Sequence, residues 1–94
     1  MKEVSLNVSH MRIYVNNDYN IYLVFEWLVN CVTKRVNKGL EFSAERLLKS
    51  SAVYKIARMA AAAVQEYDGE KPTREEKKEL RKWLTEYVIE CANV

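Results

Sequence analysis

The chain has 94 residues and a mass of 11.0 kDa, the size of one domain, and its 49% hydrophobic residues supply a single core rather than two. Fifteen basic residues against thirteen acidic leave +2 with His10 neutral, so bulk charge marks neither a polyanion binder nor an acidic tail. Two glycines and one proline leave little linker material, which argues against disorder.

Val4 to Val15 alternates, with Val4, Leu6 and Val8 on one parity and Met11, Ile13 and Val15 on the other after a slip near His10. This predicts an extended arm or short strand over residues 1–16, although Val4, Val8, Met11 and Val15 also satisfy a helical stripe. Asn16, Asn17 and Asp18 then supply turn and N-cap chemistry, because their short side chains accept the free amide protons of a helix start. A helix is expected over about 18–38, with Ile21, Val24, Phe25, Leu28, Val32 and Val36 at spacings of three and four and Gly39 as its stop. The competing arrangement is a hairpin pairing Met11–Val15 with Tyr19–Phe25, since Ile, Tyr, Val and Phe also favour strands. Tyr22, Leu23, Trp27 and Val29 widen the apolar surface of this helix almost all round, as in a central bundle element or one that lends a face to another chain.

A second helix is expected over about 44–68, with Ser43 as N-cap, Leu47, Leu48, Val53, Ile56, Ala57, Ala60, Val64 and Tyr67 on one face, and Asp68-Gly69 as the stop. Ser50-Ser51 can divide it, one serine capping the second part. Ala60 to Ala63 offer small side chains over which another helix can approach closely. The last helix, about 74–92, has the plainest start, Pro72 followed by Thr73 and Glu76 in a T-x-x-E capping box. Leu80, Trp83, Leu84, Tyr87, Val88 and Cys91 form its inner face, and its charges pair along its wet side. The expected architecture is a mainly α single domain, a bundle of three to four helices with an N-terminal extended arm or strand.

Catalytic sets are not apparent in the sequence. His10 is the lone histidine and has no evident nucleophile partner, and no phosphate loop, dinucleotide fingerprint or HExxH motif occurs. Cys31 and Cys91 sit in apolar stretches and read as buried reduced thiols, and the absence of a CxxC pair argues against zinc. No cofactor or metal is expected. Met1 to Ser5 hold no apolar core of signal-peptide length, and Ile21 to Val32 is too short and interrupted to cross a bilayer, so a cytoplasmic protein without a membrane partner is expected.

Surface chemistry is more informative. From Lys34 to Arg58, seven cations (Lys34, Arg35, Lys38, Arg46, Lys49, Lys55 and Arg58) face two acids, leaving +5 there and −3 on the rest of the chain. Such a surface suits an acidic protein or a nucleic-acid backbone. The aromatics are concentrated in the first half, and Tyr19, Tyr22 and Trp27, with Leu23 and Val29, predict a surplus face for a second copy or another protein. The leading expectation is a non-enzymatic protein-interaction module, of the kind phages and mobile elements encode as accessory factors that occlude a host protein. The alternative is nucleic-acid binding through Arg46, Lys49, Lys55 and Arg58. A helix-turn-helix over Ser43–Val64 is a weak form of it, since the turn lacks glycine and the second helix carries few base-reading side chains.

Overall fold

The five helices among the described residues are each started by a short polar side chain. The computed structural model describes residues 4–93 and gives α1 (Leu6–Asn17), α2 (Tyr19–Asn37), α3 (Ala44–Leu48), α4 (Ser51–Asp68) and α5 (Arg74–Ala92). Ser5, Asp18, Ser43, Ser50 and Thr73 are their N-caps, and each accepts an amide proton from the first turn. Asp18 also ends α1: its own N–H donates to the Tyr14 carbonyl while its carboxylate accepts from Asn20 and Ile21, so one residue separates two helices.

This corrects the expected arm or strand, and the expected three to four helices become five. Residues 1–3 of that predicted arm lie outside the described residues. The physical reason is that a lone strand leaves its backbone groups unpaired, whereas a helix satisfies its own. The helix also brings Val8, Met11 and Val15 onto one buried face and turns Leu6 and Ile13 outward. The same local satisfaction disposes of the alternative hairpin, whose second strand is the first two turns of α2.

Helix ends follow their chemistry. At the C-terminus of α2 the Leu40 N–H reaches the Arg35 carbonyl and the Gly39 N–H that of Val36, a Schellman arrangement that needs the left-handed φ of +72° at Gly39. The predicted 44–68 helix is two elements, because the Ser50 hydroxyl donates to the Leu47 carbonyl and accepts from Val53 N–H, closing α3 while opening α4. The capping box at α5 forms as read, Thr73 N–H donating to Glu76 Oε1 at 2.8 Å and Glu76 N–H to Thr73 Oγ1 at 3.1 Å.

Packing then follows burial. Met11, Val15, Val53, Ile56, Ala60, Val64, Leu80, Leu84 and Val88 are fully buried, and α1 lies against α4, α2 and α5. Ala57, Ala60 and Ala63 are the buried small residues of α4, and they let its neighbours come close. Three expected core positions are outside it: Leu48 is only half-buried, Tyr67 is exposed and stacks on Tyr14 with ring centroids 5.8 Å apart, and Cys91 is exposed. Cys31 is half-buried, and both thiols are free. No helix among the described residues is long and apolar enough to cross a membrane.

Candidate interaction surface

α2 has more apolar surface than the bundle can cover. Ile21, Phe25, Leu28 and Val32 turn inward, while Tyr19 (72% exposed), Trp27 (58%), Leu23 and Tyr22 remain outside. Large apolar side chains so placed gain from burial against a partner. Tyr19, Leu23 and Trp27 follow one another at four-residue spacing along one side of α2. Tyr22 leans toward Phe25, with centroids 6.5 Å apart, at the end of an aromatic run through Tyr87 to Trp83, on which the Arg12 guanidinium lies 4.7 Å from the ring centre.

Leu23, Val24 and Trp27 instead face α4 across a groove of about 470 Å³, closed on the other side by Ser51, Ala52, Lys55 and Arg58. Its lining includes no acid. A second groove of about 300 Å³ lies further along α2, where Cys31 and Arg35 oppose Phe42 and Arg46. There the Arg35 guanidinium donates to the Glu41 carbonyl oxygen at 3.1 Å, so part of its donor capacity is spent on the α2–α3 connection.

The basic segment is therefore divided. Lys55 and Arg58 join Trp27, and Arg35 joins Arg46, whereas Lys34 and Lys38 are exposed at the end of α2 and line neither groove. Lys34 and Arg35 in the last turn of α2 also face the negative end of its dipole. Lys49 pairs with Glu45 at 3.1 Å on the open surface, a contact of little energetic weight that nonetheless offsets its charge. Tyr19 and Tyr22 lie outside both grooves.

Two cations escaped the sequence reading. Lys71 and Lys77 meet Arg58 around a shallow groove of about 170 Å³ over Ala61, Ala62, Gln65 and Pro72. No signal within their own segment marks them, since Glu70, Glu75 and Glu76 lie beside them in sequence and only the approach of α4 brings Arg58 to them. Among the described residues, basic side chains contact carboxylates at His10–Asp68 and Lys49–Glu45, so Lys55, Arg58, Lys71 and Lys77 have no acidic partner there.

His10 belongs to a helix rather than an arm. Its Nδ1 is 2.5 Å from Asp68 Oδ2, while Tyr14 donates its hydroxyl to Asp68 Oδ1 at 3.2 Å. The approach is not an aligned hydrogen bond, since the ring nitrogen has no partner of hydrogen-bonding geometry. Burial and the neighbouring carboxylate push the Tyr14 phenol up from its ordinary value. The cluster ties α1 to the last residue of α4, where an acid at a helix C-terminus needs such partners. Between α1 and α5 lies a groove of about 810 Å³, whose lining mixes Arg12, Lys78 and Lys82 with Glu75, Glu79 and Glu86 and so carries no net sign. No group of three or more His, Cys, Asp or Glu among the described residues is placed to hold a metal ion.

No protein-family model, curated protein or solved structure matches the chain.

Proposed function

We propose that this protein is a non-enzymatic interaction module that docks another protein in the groove between α2 and α4. The observation that carries the reading is the meeting of exposed apolar side chains, Leu23 and Trp27, with Lys55 and Arg58, which have no acidic partner among the described residues. An exposed tryptophan beside unneutralised cations is the composition of an interface centre and its rim. The mode of action is occupation of a partner's surface, with no bond made or broken.

A pull-down from nuclease-treated lysate tests it. The wild-type chain should retain a stoichiometric protein, and Trp27→Ala and the pair Lys55→Glu, Arg58→Glu should release it while keeping the wild-type thermal midpoint. All three positions are exposed, so their replacement leaves the core intact. Retention that survives both changes rejects the groove.

The cluster of Arg58, Lys71 and Lys77 over Ala61 and Ala62 favours a second reading, binding of a nucleic-acid backbone. Its signature is a steep linear fall of log affinity with log salt, close to one unit of slope per phosphate contacted, and retention only when nuclease is omitted.

A further inference from the structure

The two acid-free grooves flanking α4 are parts of one track. Ser51, Lys55, Arg58, Ala62 and Gln65 are all exposed and recur at three-four spacing, a ridge of about 21 Å at 1.5 Å per residue. Ala52 lines the groove beside α2 and Ala61 the groove beside the start of α5. Nine residues, or two and a half turns, separate them, so the grooves lie on opposite flanks of α4. Arg58 lines both, and a ligand following the two grooves crosses α4 obliquely at that residue.

We infer that the occupant of this track is an acidic amphipathic helix of about four turns, supplied by another protein. The inference rests on the docking reading above and specifies the partner. Helix-on-helix packing accounts for the oblique path, because side-chain ridges seat in grooves inclined to the axis, and Ala61 and Ala62 allow a close crossing. An apolar anchor on the incoming helix fills the space between Trp27 and Ala52. Its carboxylates, three or four residues to either side, meet Lys55 and Arg58 at one end and Lys71 and Lys77 at the other.

Charge excludes a second copy on this track. A two-fold contact centred on Arg58 would set the same four cations against their own images. A nucleic-acid duplex would satisfy the cations but leave Leu23, Val24 and Trp27 wet, since phosphates offer nothing apolar to an apolar groove.

The test is selection from a displayed library of random sixteen-residue peptides against the intact protein. Enriched sequences should repeat bulky apolar residues at three-four spacing with Asp and Glu beside them. They should shift the backbone amide resonances of Trp27, Arg58 and Lys77. Affinity should fall about tenfold or more for Lys55→Glu with Arg58→Glu and return when the peptide's acids are exchanged for lysine. Neutral or basic binders that still require Trp27 and Arg58 overturn the acidic helix but leave groove docking standing. Binders indifferent to both residues, or no binders while a DNA duplex shifts those resonances, overturn the docking reading as well.

Discussion

Glu76 serves two helices at once. Its Oε1 accepts from the Thr73 backbone N–H and from the Asn7 side chain, and its Oε2 accepts from the Ser5 hydroxyl at 2.7 Å. Ser5 in turn caps α1 by accepting from Val8 N–H, so the starts of α1 and α5 are fastened by one carboxylate. The Thr73 N–H is the main cause of a carboxyl held below the ordinary glutamate range; desolvation opposes it, and Ser5 and Asn7 add to it. A lowered carboxyl stabilises fully above the ordinary range and loses that contribution as pH falls through its lowered value. Glu76→Ala should therefore cost about 1–2 kcal/mol at neutral pH in urea unfolding, and the difference from wild type should shrink in acid. The thiol of Cys91 is pushed up, first by desolvation and then by Glu90, so it is a weaker thiolate source than its exposure suggests.

The elements divide where a side chain competes with the helix for the backbone. Ser50 illustrates it: an alanine there would neither accept from Val53 nor donate to Leu47, and the chain would lose its reason to turn between α3 and α4. Ser50→Ala should destabilise the fold by about 1 kcal/mol, read as a lower urea midpoint at unchanged slope. Ser51, one residue on, is exposed and already helical. Serine pairs in sequence mark such a break without saying which member makes it; the structure assigns the cap to Ser50.

Across the whole molecule, α1 decides the architecture. Its apolar residues support either a strand or a helix locally, and contact with α4, α2 and α5 selects the helix that buries Met11 completely. Met11→Ala should cost about 2–5 kcal/mol, a core penalty that an independent arm would not incur, and should lower the thermal midpoint of the entire protein in one transition. The same packing decides which surface remains for partners, because with α1 on α4 and α5 the outer side of α2 stays open and its Trp27 comes to lie beside Lys55 and Arg58.

The local chemistry of the sequence by itself determined the mainly helical class, the bounds of α5, the caps Ser43 and Thr73, and the stops at Gly39 and Gly69, and it narrowed the cap of α2 to Asn16, Asn17 or Asp18. Caps and amphipathic stripes act within one or two turns and can be read from neighbours in the chain. The exposure of Trp27, Tyr19 and Tyr22 was also legible, as apolar surface beyond what one face can bury. Only the tertiary structure decided that Leu23 and Trp27 face Lys55 and Arg58 across a groove whose lining Tyr19 and Tyr22 do not join, and that Lys71 and Lys77 complete a track with Arg58. Those outcomes depend on residues brought together from different helices, and charge along a sequence does not report charge across a surface.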